Sequence, residues 1–99
     1  MTSFKNVLYW LLVNSLGGKN RIKILHSLFQ SPKNTHELSQ ELHIEYKTVQ
    51  YHLGILEENN LIESAGKHYG KTFFITEKLD ENKEYFHRIC KDSKNTINE

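Results

Sequence analysis

Lys47, Gln50 and Tyr51 are the residues whose types and spacing point most directly to a chemical task. With Gly54 they fall on one side of the segment Tyr46 to Asn59, and Val49, Leu53 and Leu56 fall on the other at i, i+4 and i+7. A helix anchored by one apolar face presents the donors and acceptors of the opposite face to a partner. The longer stretch Asn34 to Ile62 reads as two helices joined by a tight turn, with this segment second, an arrangement that suits insertion into the major groove of DNA. The task implied is hydrogen bonding to a duplex, not bond making.

Six histidines and the single cysteine, Cys90, are the other candidates for chemistry. His87 and Cys90 lie three apart on one helical face, but scattered acids around them make no full ligand set, so neither a metal nor another cofactor is expected. A metal or redox site shared between two copies is the alternative. Nothing marks the thiol as exposed or acidic, which favours a buried, inert cysteine. The chain has no Gly-rich phosphate loop, no nucleophile elbow and no carboxylate pair distinct from surface charge, so it reads as a non-enzyme. A lone cysteine forms no internal disulfide and fits a reducing compartment, with the cytoplasm as the expected location. The net charge of +1 argues against coating nucleic acid by bulk charge, so any basic footprint is local. The apolar run Val7 to Val13 falls well short of the roughly 20 residues of a membrane span, and it lacks a signal-type cleavage pattern. No membrane partner is expected.

The elements that must position these residues are legible from periodicity and punctuation. At 99 residues the chain supports one domain, 1–99, small enough that an added contact surface such as a dimer interface would help its stability. Phe4, Val7, Leu8 and Leu11 repeat at helical spacing, and Tyr9, Trp10, Leu12 and Val13 widen the stripe until little of an N-terminal helix over 1–16 stays polar. Gly17 and Gly18 end it. Asn20 is the expected cap of a second helix with core face Ile22, Leu25, Leu28 and Phe29, which Pro32 stops. Asn34 and Glu37 have capping-box spacing, so a third helix starts at Thr35, buries Leu38 and Leu42, and ends near His43 in a left-handed turn. After the fourth helix, Asn59 and Asn60 supply a left-handed closure. Ile62 to Ala65 and Thr72 to Thr76 read as a β-hairpin with a basic tip, Gly66 to Lys71. Phe73 and Ile75 point one way and Phe74 the other, so one phenylalanine needs cover from the outer side. A C-terminal helix over 80–92, through Tyr85, Phe86, Ile89 and Cys90, would supply it, and 93–99 is expected to fray.

The order of helices and hairpin, with Asn20 to Leu25, Glu37-Leu38 and Tyr46 to Leu53 as the strongest segments, resembles winged helix-turn-helix transcription regulators of the ArsR-like type, particularly small archaeal ones. The resemblance runs from Gly18 to Thr76 and rests on the T-V-x-x-H-L pattern at Thr48 to Leu53, Leu56, and the Asn60-Leu61-Ile62 exit into the wing. It implies a mainly α fold with a small β-hairpin, a winged-helix core over 18–76 with extra N- and C-terminal helices. It also implies a homodimeric transcription regulator that binds double-stranded DNA sequence-specifically, and it leaves open whether there is a small-molecule effector. By position, Tyr46, Lys47, Thr48, Gln50 and Tyr51 would face the major groove, where Gln pairs two-pronged with adenine and Lys reaches guanine acceptors or phosphate. Lys67, His68 and Lys71 on the wing would contact flanking backbone or the minor groove, and Thr35 and His36 would offer N–H groups to phosphate. The terminal helices would form the dimer interface through Phe4, Val7, Leu8, Leu11, Leu12, Phe86 and Ile89. The family's thiolate pair is missing, since Ser39 to Glu45 contains no cysteine.

Blander readings stand beside these. Lys47 and Gln50 could be ordinary solvated helix residues, Tyr46 and Tyr51 could pack on the wing, and His52 is expected beside the core rather than on DNA. Gly54 costs about 1 kcal/mol relative to Ala within a helix. A winged helix serving as a protein-interaction module of a transcription or chromatin assembly is the alternative function, favoured by the near-neutral charge.

Overall fold

The computed structural model describes residues 3–67 and 70–97, with the side chains of 93–97 left aside. Helix formation starts at Ser3, whose hydroxyl accepts the Asn6 N–H at 3.1 Å and caps α1 (Phe4–Tyr9). The rod continues as a π-helical stretch, Trp10–Asn14. Its inner side is Leu8, Leu11 and Leu12, all buried.

α2 (Gly18–Gln30) begins two residues before the expected cap, with Gly17 rather than Asn20 in the N-cap position. Gly17 has φ +88°, and a Cβ on Gly18 would collide with the Leu12 carbonyl, so the glycine pair lets the chain turn tightly against the end of the rod. The buried face of α2 is Arg21, Ile24, Leu25, Ser27 and Leu28, while Ile22 and Phe29 are only half-buried. The helix is therefore rotated from the face its apolar residues suggest, and a cation lies inside.

α3 (Thr35–Leu42) has the full capping box: Asn34 Oδ1 accepts the Glu37 N–H at 2.8 Å and Glu37 Oε1 accepts the Asn34 N–H at 2.9 Å. His43 closes it in the left-handed region at φ 55°. α4 (Tyr46–Glu58) ends on Asn60 at φ 63°. β2 (Ile62–Ala65) and β3 (Thr72–Ile75) pair antiparallel as the hairpin, and β1 (Lys33–Asn34) adds to the other edge of β3 with Lys33 opposite Phe73. That third strand was not expected, because two residues carry no detectable period. Phe73 is buried and Phe74 half-buried, and the Lys71 ammonium lies 5.6 Å from the centre of the Phe73 ring.

The C-terminal region differs from the single helix expected over 80–92. Thr76 caps a short α5 (Glu77–Glu81) by accepting the Leu79 N–H at 3.1 Å, and its hydroxyl donates to the Asn60 carbonyl at 2.9 Å. A turn at Asn82 follows. α6 (Lys83–Ile97) then runs beyond the point where the sequence reading ended the helix at residue 92 and began a frayed tail.

α6 also accounts for the apolar N-terminal helix. It lies across the rod, with Phe86 and Ile89 buried and Phe86 stacked on Phe29 at 5.0 Å between ring centres. Five of the seven residues expected at a dimer interface, Leu8, Leu11, Leu12, Phe86 and Ile89, are thus buried within the protomer, and Phe4 and Val7 are half-buried against the same core. Apolarity signals burial but not the covering surface, which here is the chain's own last helix. What stays outside is Tyr9, Trp10, Val13 and Leu16, at 43%, 57%, 43% and 98% exposure. Among the described residues no helix is long and apolar enough to cross a membrane. Phe86→Ala is expected to destabilise the fold by about 3–5 kcal/mol through loss of core contacts. Chemical denaturation at two protein concentrations checks this, because a core residue gives the same loss at both.

Candidate nucleic-acid interface

The outward face of α4 follows from what the inward face buries. Val49, Leu53 and Leu56 are fully enclosed, which turns Lys47, Gln50, Tyr51 and Gly54 outward, all exposed, with Tyr46 exposed and Thr48 half-buried beside them. A Cβ on Gly54 would meet nothing within 4 Å, so the glycine admits no neighbour of its own protomer and leaves that part of the face low. The first turn of α4 holds no acidic residue, and the acid at its N-cap, Glu45, makes no side-chain capping hydrogen bond. Thr35 and His36, half-buried and exposed, stand at the N-terminus of α3.

On the wing, Lys67 is exposed, and His68 lies outside the described residues. Lys71 is less free than its sequence position suggests, since Glu57 Oε1 lies 3.9 Å from its ammonium. Such a surface pair contributes about 0–1 kcal/mol. Glu57 Oε2 also accepts the Ser64 hydroxyl at 2.7 Å, so one carboxylate at the end of α4 holds β2 and lies beside Lys71, the residue before β3. Sequence reasoning passed over this residue.

It also passed over Arg21. The guanidinium is 2% exposed and donates from Nε to the Leu11 carbonyl at 3.0 Å and from one terminal nitrogen to the Leu16 carbonyl at 2.8 Å and the Ser15 hydroxyl at 2.6 Å. The other terminal nitrogen lies 3.1 Å from His52 Nδ1 on α4. A guanidinium only donates, so Nδ1 accepts and the neutral ring carries its proton on Nε2. The available signal was positional: Arg21 occupies the first place of the row Arg21, Ile24, Leu25, Leu28, a polar residue at a core position. His52 is 4% exposed and hydrogen-bonded beside the core, with the Tyr51 ring edge-on at 5.3 Å between centres. A Cβ on Gly17 would stand 2.6 Å from His52 Cε1, so the left-handed glycine also brings the loop against this ring.

Burial, and then the neighbouring Arg21 charge, push the His52 ring below its ordinary 6.5. Burial also lowers Arg21, with Tyr51 opposing, from a starting value so high that it stays charged. The native chain holds His52 neutral at a pH where the unfolded chain protonates it. Stability contributed here is therefore complete above pH 6.5 and falls as pH drops below it, until the native ring protonates too. The urea midpoint is expected to drop between about pH 7.5 and about pH 5.5, with a smaller drop in His52→Gln, which cannot titrate.

A groove of ≈ 820 Å³ opens beside the same loop, between Tyr9 and Val13 on the rod, Leu16 and Lys19 at the start of α2, and Ile89 on α6. Among the described residues no cluster of three or more His, Cys, Asp or Glu is placed to hold a metal ion. Cys90 is half-buried.

Residues 18–64 match the family model described as bacterial regulatory protein, arsR family. An uncharacterized HTH-type transcriptional regulator of Methanocaldococcus jannaschii is 42% identical over 50 residues, 50% of this chain and 53% of the relative, so the match spans about half the relative's length. The fold is similar to that of reduced HlyU from Vibrio cholerae, with a TM-score of 0.67 at 20% identity over 86% of this chain and 87% of that one. A second HlyU structure from the same organism gives 0.62 at 22% identity over 86% and 90%. At these identities the structures speak for the fold alone. The helix-turn-helix and the wing strand after it, within residues 18–64, are thus similar to the arsR family of bacterial regulatory proteins.

Proposed function

We propose that this protein is a sequence-specific, double-stranded DNA-binding regulator of transcription that acts as a homodimer. The observation that carries the reading is the unobstructed polar flank of α4. Lys47, Gln50 and Tyr51 are exposed while the opposite flank is locked into the core of a winged helix. Tyr46, Lys47, Thr48, Gln50 and Tyr51 enter the major groove, where a glutamine amide satisfies both polar positions of an adenine edge and a lysine reaches guanine acceptors or phosphate. Thr35 and His36 bring the N-terminus of α3 to a phosphate, and Lys67, His68 and Lys71 hold the flanking backbone or minor groove. The arsR-family match and the relative's description as a transcriptional regulator support the same reading.

The dimer contact in this reading shifts outward from the residues the sequence suggested. Leu8, Leu11, Leu12, Phe86 and Ile89 support it from beneath, and the contact itself is made by Tyr9, Trp10, Val13 and Leu16, large apolar side chains clustered near the end of the rod. A two-fold dimer sets its two reading helices on half-sites about 10 bp apart or a multiple of that. Leu16→Asp is expected to convert the dimer to monomer without unfolding, read by light scattering and circular dichroism. A monomeric wild type would overturn the dimer.

Duplexes selected from a random pool provide the test of DNA binding, with affinity expected to fall on a log–log salt slope of about −0.9 per phosphate neutralised. Lys47→Ala with Gln50→Ala is expected to weaken specific binding by about 1–3 kcal/mol per lost base contact. Unchanged affinity in that double variant removes α4 as the reading helix. Failure to bind any duplex at low salt, with capture of a defined protein partner, would favour an interaction module instead.

A further inference from the structure

We propose that His52 is a positioning residue for duplex binding: as the neutral ring it accepts the Arg21 hydrogen bond and seats α4, and on taking up a proton it loses that bond, unseats the reading face and releases DNA. The inference deepens the DNA-binding reading of α4 and rests on it.

The geometry leaves the ring no other role for Nδ1. Arg21 is a pure donor 3.1 Å away, so a proton on Nδ1 would set two donors and two positive charges face to face inside the fold. Among the described residues, the titratable and charged groups recorded against His52 are the Arg21 guanidinium from α2 and the Tyr51 phenol on α4 itself, and the loop brings the Gly17 backbone against the ring. None of these supplies a carboxylate to accept the second cation. Arg21 cannot swing away to relieve the repulsion without abandoning the Leu11 and Leu16 carbonyls and the Ser15 hydroxyl. What yields is the His52 side of the contact: the ring moves off Arg21 and shifts its neighbour on α4, Tyr51, a residue of the proposed reading face. Burial and the Arg21 charge both hold the ring in its neutral form, which places release on the acid side of neutrality.

The sign of this effect separates it from bulk electrostatics. Acidification adds positive charge to the protein, and added positive charge favours phosphate binding. A loss of affinity in acid therefore runs against the general trend and requires a specific group.

Fluorescence anisotropy with a selected duplex at constant ionic strength, between about pH 7.5 and about pH 5.5, tests the inference in the wild type and in His52→Gln, whose amide keeps an acceptor for Arg21 and does not titrate. Wild-type affinity is expected to fall on the order of tenfold per pH unit below the ring's own titration point, and the variant's to hold steady or rise. Parallel losses in both proteins would overturn the inference and leave DNA binding intact, whereas no duplex binding at either pH would overturn both. If His52→Gln does not fold, NMR of the folded wild type decides. The amide shifts of Lys47, Gln50 and Tyr51 are expected to follow the His52 ring titration, and amides that stay still while the ring titrates would overturn the inference.

Discussion

The arrangement depends on burying one guanidinium. Arg21 stands at a core position of α2, and a charged donor enclosed there needs acceptors in fixed places, since each hydrogen bond to a charged group is worth about 1.5–3 kcal/mol. Two of its acceptors are the Leu11 and Leu16 carbonyls, one within the π-helical stretch and one in the loop after it. The third is the Ser15 hydroxyl, which itself donates to the Leu11 carbonyl at 3.1 Å, and the fourth is His52 on α4. The rod, the loop, α2 and α4 thus meet on one cation, and no carboxylate shares its charge in an ion pair among the described residues. Main-chain carbonyls suit this task because they carry partial negative charge without a desolvated counter-ion.

From that hub outward, the remaining constraints act on α4. Its apolar row fixes its rotation, the left-handed His43 fixes its approach from α3, and Asn60 releases the chain into β2. Glu57 then holds the hairpin through Ser64 and Lys71. Each constraint acts on the backbone or on the buried flank. The exposed flank carries none of these constraints apart from the Tyr51 ring, which lies edge-on to His52.

What could be read from the sequence divides along the range of the interaction involved. The capping box at Asn34 and Glu37, the left-handed closures at His43 and Asn60, and the two faces of α4 are local, written within a few residues of where they act. β1 and α5 were not legible: two residues become a strand only because β3 lies alongside, and five residues become a helix because Thr76 caps them. The residues expected at a dimer interface are a different case. Leu8, Leu11 and Leu12 announce that they are covered, and only the path of α6 decides that the cover is internal. Arg21 was hidden most deeply, because three of its four partners lie on the loop and rod, and two of those are carbonyls, which every residue possesses and no sequence pattern marks.

Gly17 shows how tightly the two ends of this system are joined. Its φ of +88° already disfavours any side chain, and the His52 ring separately occupies the space a Cβ would need. Next to it, Leu16 holds its side chain in solvent beside the groove while its carbonyl points inward to Arg21. Leu16 therefore has its side chain toward solvent and its carbonyl toward the cation that seats α4. Displacing Leu16 displaces an acceptor of Arg21, and displacing Arg21 withdraws the bond to His52. The loop beside the outer apolar surface and the buried side of α4 are thus joined through the same few hydrogen bonds.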